Sequence, residues 1–192
     1  MNLDEILTNT LDSNTVGQMS QTLGVSEGTT SNAIQTALPM LLAALARNSS
    51  TSNGASSLLG ALDRDHDGSI LDDVGGFLAN YGSGDGQGIL EHLFGNRVGA
   101  VQTGLSQSTG LDAGTTAQLL MMLAPIVMGA LGRANQQGAI DQSNLPTVLT
   151  GATERVGGSP GTIGILSQLL DSNQDGSAVD DVMRMASGLF RK

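Results

Sequence analysis

The sequence predicts an all-α fold made of two pseudo-repeated helical units, each with an EF-hand-like acidic loop between helices. Three observations carry this. Apolar residues recur at three- and four-residue steps, the spacing of one face of a helix. The hydrophobic residues, 39% of the chain, include only Phe77, Tyr81, Phe94 and Phe190 as aromatics, so the core must be built from Leu, Ile, Val, Ala and Met, which suit close helix packing. The chain also repeats itself. At an offset of 86, Gly24, Gly28, Thr29, Thr30, Pro39, Ala44, Leu45 and Arg47 meet identical residues at Gly110, Gly114, Thr115, Thr116, Pro125, Ala130, Leu131 and Arg133.

In chain order, Leu3, Ile6, Leu7 and Leu11 mark a short amphipathic helix whose opening acids, Asp4 and Glu5, suit a helix N-terminus. Ser13 or Asn14 is placed to cap a second helix, Thr15 to Leu23. Ser26 is placed to cap a longer one carrying Ala33, Ile34, Ala37, Leu38, Leu41, Leu42 and Leu45 and ending near Arg47. A polar linker over 48–57 leads through Leu58, Leu59 and Leu62 into the first acidic loop, and Ile70 to Tyr81 is the expected exiting helix. A glycine-rich joint, 82–88, precedes a short helix with Ile89, Leu90, Leu93 and Phe94; it has neither the Gly-Lys-Ser/Thr nor the preceding strand of a phosphate loop.

The second unit then follows the first. The boundaries fall at 1–95 and 96–192, over one joint core or two small ones. The acidic loops pair at an offset of 108, so the second unit carries 22 extra residues, placed around Gln136 to Gly161. Pro39 and Pro125 sit inside the long helices at matching places, each removing a backbone hydrogen bond, and unbroken apolar periodicity predicts a kink at each. Met40, Met121, Met122 and Met128 lie nearby and are read as core, the alternative being an adaptable partner groove.

Composition narrows the function. The absence of cysteine excludes disulfides, thiolate metal sites and cysteine nucleophiles. The start carries two acids and no basic region, which predicts a cytoplasmic protein without a secretory signal. The longest apolar run, Leu119 to Leu131, is interrupted by Pro125 and Gly129 and falls short of the ~20 residues of a bilayer span. Net charge is −10, and nine of the 18 acids lie in the two acidic loops, so acidity is local and polyanionic partners are disfavoured.

Asp63 to Asp73 reads Asp-Arg-Asp-His-Asp-Gly-Ser-Ile-Leu-Asp-Asp, a density of carboxylates that calls for a balancing cation. Asp63, Asp65 and Asp67 take positions one, three and five of an EF-hand-like loop, Gly68 the sharp turn and Ser69 the carbonyl position. In the second loop the ligand positions are Asp171, Asn173, Asp175 and Ser177, with Gly176 at the turn. Position twelve, a bidentate Glu in an EF-hand, is Val74 or Val182, so the late acids come early. Capping-box spacing from Ser69 and Ser177 selects Asp72 and Asp180 as late ligands, whereas counting along the loop selects Asp73 and Asp181. Calcium is the expected ion, tighter at the first loop for its extra carboxylate, with magnesium disfavoured. The plainer alternative is a set of Asx-turns and acidic helix N-termini that need no metal.

His66 falls at an outward loop position and His92 beside Glu91 on a short helix; neither belongs to a triad or a metal-binding cluster, so no enzymatic activity is expected. Residues 19–33, with Leu23-Gly-Val-Ser26, have helix-turn-helix spacing, but the would-be recognition helix carries no Lys or Arg before its end, which disfavours nucleic acid.

Leu23-Gly-Val-Ser26, the Leu38-Pro-Met-Leu-Leu-Ala-Ala-Leu45 run, the Asp-x-Asp-x-Asp-Gly-Ser loop and Gly88-Ile-Leu-Glu-His-Leu-Phe-Gly95, in this order, resemble a bacterial family catalogued as domain of unknown function 937. The resemblance implies a small helical bacterial protein and carries no activity with it. Taken together, the sequence reads as a non-enzymatic calcium-binding helical protein with a structural or protein-interaction role, whose partner is another protein or a second copy. The alternatives are a metal-free structural protein and a helix-turn-helix-like nucleic-acid module.

Overall fold

The computed structural model describes residues 2–81 and 85–157, and its regular elements there are all helical. In order they are α1 (Leu3–Thr10), α2 (Ser13–Leu23), α3 (Glu27–Asn48), α4 (Ser52–Asp65), a 3-10 turn (Ser69–Asp72), α5 (Val74–Ala79), α6 (Gly86–Phe94), a second 3-10 turn (Gly95–Arg97), α7 (Val98–Thr109), α8 (Ala113–Gln136) and α9 (Leu145–Val156).

The two long helices begin in the same way. Gly24 ends α2 and Gly110 ends α7 with φ of 69° and 74°, the left-handed conformation that glycine adopts without a Cβ penalty. Two residues on, Ser26 accepts the Thr29 N–H at 3.1 Å and Asp112 accepts those of Gly114 and Thr115 at 2.9 and 3.0 Å, satisfying donors at each helix start. Thr30 and Thr116, both fully buried, donate their hydroxyls to the backbone oxygens of Ser26 and Asp112. Both helices run through their prolines, Pro39 and Pro125, without a break.

Several boundaries differ from the sequence reading. Asp12, not Ser13 or Asn14, caps α2 by accepting the Thr15 N–H at 2.8 Å; an ionised carboxylate faces the positive helix end better than a neutral group does. The linker after α3 is shorter than expected, because Thr51 accepts the Gly54 N–H and α4 starts at Ser52 with Ala55 and Leu62 buried. The expected helix from Ile70 to Tyr81 is instead a 3-10 turn followed by α5, since Asp73 leaves helical geometry (φ −143°, ψ 66°) and caps Gly76 with its carboxylate. The extra residues of the second half contain α9, which buries Leu145, Leu149 and Ala152 and lies chiefly on α3.

Buried side chains from Leu3 to Ala152 form one contiguous cluster, with α3 and α8 contributing most of it. Of the methionines near the prolines, Met40, Met122 and Met128 are inside it, as core, and Met121 packs against it half-buried. Helix α8 is longer than its apolar run and by length and composition alone would cross a bilayer; 72% of its most apolar window is buried in the protein, as in a central core helix.

Candidate functional site

The acidic loop 63–73 leaves the end of α4, turns at Gly68 and seats on the C-terminal half of α8. Gly68 has φ 92°, and a Cβ there would come within 3.0 Å of the Arg133 backbone nitrogen, so the turn requires glycine for both conformation and space. The facing residues of α8 are glycines too. A Cβ at Gly132 would overlap the His66 carbonyl oxygen, and one at Gly129 would overlap Cγ2 of Ile70. Backbone therefore lies on backbone, and the side chain that passes the loop is Arg133.

The Arg133 guanidinium reaches the loop at its turn and at Asp72. Its Nη2 donates to the Gly68 carbonyl oxygen at 2.9 Å and to Asp72 Oδ1 at 2.6 Å. Asn135, one half-turn further along α8, donates from Nδ2 to Asp63 Oδ1 at 2.7 Å. Two side chains of α8 thus hold both ends of the loop, and the contact joins the first half of the chain to the long helix of the second.

The remaining predicted ligands of this loop serve local geometry. Asp67 accepts the Ser69 N–H at 3.0 Å in an Asx-turn. Hydrogen bonds from the Ser69 hydroxyl and N–H, with the Arg133 charge nearby, hold the Asp67 carboxyl below its ordinary pKa. Asp73 caps α5. Asp63 and Asp65 both belong to the last turn of α4, and two helical residues lie about 200° apart around the axis, so they point to nearly opposite sides. Among the described residues no three His, Asp or Glu side chains converge on a point that could hold a metal ion. The loop thus holds Asp63 and Asp72 on α8, commits Asp67 and Asp73 to backbone N–H groups, and leaves Asp65 and Ser69 exposed. The second loop's residues, Asp171, Asn173, Asp175, Ser177, Asp180 and Asp181, lie outside the described residues.

His66 ends α4 and is half-buried; burial pushes its imidazole below the ordinary pKa, against the opposing pull of Asp65 and Asp85. His92 is exposed, and its neighbour Glu91 accepts a hydrogen bond from Gln87 at 2.9 Å. A cavity of about 270 Å³ lies between α1 and α9, bordered by Leu3, Ile140, Val148 and Arg155, with neither histidine on its wall.

A family model described as bacterial protein of unknown function (DUF937) matches residues 5–134, which takes in α1 through most of α8 and the whole of the seated loop. The chain belongs to this family. No curated protein and no solved structure matches it. The DUF937 match supplies no site residue, so Arg133, Asn135, Gly129 and Gly132 rest on the geometry alone. In the sequence their signal was an arginine repeated at 47 and 133 beside glycines three apart on a helix, a spacing that puts both glycines on one face.

Proposed function

We propose that this DUF937 chain is a non-enzymatic helical protein with a structural or protein-interaction role, built from two duplicated helical units and clasped by an acidic loop that Arg133 holds through Asp72 and the Gly68 carbonyl. The observation that carries this is the Arg133 bridge between the Gly68 carbonyl and Asp72, which ties one unit's loop to the other unit's long helix. The matching caps at Ser26 and Asp112, the matching buried threonines and the identical prolines support the duplication.

Calcium enters the proposal as a competitor of Arg133. To place Asp63, Asp65, Asp67 and the Ser69 carbonyl around one ion, the last turn of α4 must open and Asn135 must release Asp63, and with Asp72 as the late ligand Arg133 must leave as well, so calcium binding and release of the loop from α8 are coupled. Asp72 or Asp73 then serves as the late ligand.

Titration of chelator-stripped protein with Ca2+, run in parallel on Arg133→Gln, tests both parts. The expected result is tighter binding by Arg133→Gln, which has no guanidinium to displace, and a stability gain of about 2.7 kcal/mol at 100 times the dissociation constant. No heat and no rise in melting temperature in either protein would remove calcium and leave the metal-free clasp. The clasp itself predicts faster hydrogen exchange across 66–72 in Arg133→Gln without calcium; unchanged exchange would remove it.

A further inference from the structure

The residues that make the second half longer than the first build the cavity between α1 and α9. All of its wall except Asn2 and Leu3 comes from residues 139–155, past the residues 5–134 that match the family. Thr147, Gly151 and Arg155 follow one another at four-residue steps, so they share the face of α9 that meets the cavity. Leu3, Ile140 and Val148 make much of the remaining wall apolar. The volume of about 270 Å³ lies just below the ~300–1,000 Å³ of pockets that take drug-sized ligands, which suits a smaller molecule.

Arg155 stands at one end of the α9 stripe, about two-thirds exposed, with its Nη1 donating to Asp4 Oδ2. A guanidinium has further N–H donors beyond the one nitrogen that Asp4 engages. The second nitrogen, Nη2, lies against Gly151, where a Cβ would meet it at 3.7 Å, an ordinary contact. At Gly86 and Gly132 backbone presses so closely that only glycine fits; Gly151 has no such reason, and glycine inside a helix is unfavourable relative to alanine. What Gly151 does is leave the space beside Nη2 open.

We propose that this cavity binds a small monocarboxylate with an apolar tail, its carboxylate on Arg155 beside Gly151 and its tail between Leu3, Ile140 and Val148. Asp4 holds the guanidinium in place, which lowers the cost of ordering it when the ligand arrives. The charge of Asp4 also disfavours anions of higher charge, such as phosphates, as like charges brought together. The site stands apart from the Arg133 clasp, so either can fail alone.

Titration of the isotopically labelled full chain with hexanoate at neutral pH, followed by NMR, tests the site. Saturable shifts centred on α9, Leu3 and Ile140 are expected. Hexanamide, which lacks the charge, and acetate, which lacks the tail, should each bind weaker by about tenfold or more. Equal binding of either one overturns the proposal, as does the absence of saturable shifts with hexanoate. Gly151→Leu, which puts a helix-favouring side chain into the cavity, should abolish binding without lowering the melting temperature; binding that survives it overturns the proposal too. Arg155→Gln alone would strand Asp4, whose Oδ1 is buried without a hydrogen-bond partner among the described residues, so both charges are changed in turn. Asp4→Asn should tighten hexanoate by removing a like charge, and Asp4→Asn with Arg155→Gln should bind hexanoate no better than hexanamide. A double variant that still prefers the carboxylate overturns the role of Arg155.

Discussion

Gly129 and Gly132 make the loop's seat for different reasons, and the difference is measurable. The atom that a Cβ at Gly129 would strike is a side-chain methyl of Ile70, whereas at Gly132 it is the His66 backbone oxygen. Gly132→Ala should therefore lower stability by about 1–3 kcal/mol, the range for forced overpacking, with no side-chain truncation able to relieve it. Gly129→Ala should cost a similar amount alone but little in the presence of Ile70→Ala; denaturant unfolding of the four proteins reads this coupling, and additive losses would show that the loop does not lie on Gly129. Ionisation at the same contact gives a second prediction. The His66 pKa is lowered from 6.5 by burial, so the folded state favours neutral imidazole; the stability that this contributes is present above 6.5 and is lost as pH falls toward the folded value. Asp12, Asp67, Asp112 and Asp141 are all lowered from 3.8 by hydrogen bonds from nearby side chains and N–H groups, so their contribution is present above 3.8 and is lost below it. Melting temperature against pH should fall in two stages, and His66→Gln should abolish the one that begins below 6.5; an unchanged profile would show that His66 is not held neutral.

The long helices have their prolines in the core, where each removes an N–H from the helix ladder. In α8 the consequence is visible four residues earlier. The Met121 carbonyl, which would accept from residue 125, faces Gly86 at the start of α6, so close that a Cβ on Gly86 would overlap its oxygen. Gly86→Ala should lower stability by about 1–3 kcal/mol, because backbone cannot yield as a side chain does. Gly88→Ala, two residues along with open space around it, should raise stability by up to about 1 kcal/mol through helix propensity. Thermal unfolding of the two variants should move in opposite directions. Such a contact is illegible in sequence, where 82–88 reads as a joint, because nothing local marks which carbonyl a glycine will meet. What is legible is whatever depends on neighbours in the chain: α3 was expected from Ser26 to near Arg47, and it runs from Glu27 to Asn48 under a Ser26 cap. The misread stretch, Ile70 to Tyr81, failed on long-range grounds, since capping-box spacing favoured a helix there while Ile70 and Leu71 pack on α8.

At the scale of the whole molecule, the repeat at offset 86 and the acidic loop were plain in the sequence, but the loop's partner was not. Asp63 and Asp72 find Asn135 and Arg133 across 72 and 61 residues, a pairing that only the fold creates. For the same reason the two sequence halves share their core. Buried residues of α3 and α8 belong to one cluster, α9 lies on α3, and α4 and the first loop lie on α8, so each half covers apolar surface of the other. A fragment ending at residue 95 would leave exposed the faces that α7, α8 and α9 cover on α3, a helix whose Leu41, Leu42 and Leu45 are now fully buried. At about 1.5–3 kcal/mol for each fully buried leucine, three of them contribute about 5–9 kcal/mol, comparable with the 5–15 kcal/mol of a typical domain. Fragments 1–95 and 96–192 should therefore lack cooperative unfolding when expressed separately and regain it, with native helix content, when mixed. Independent, sharp melting of either fragment would mean two cores, and the contact of the first loop with α8 would then join domains instead of completing one.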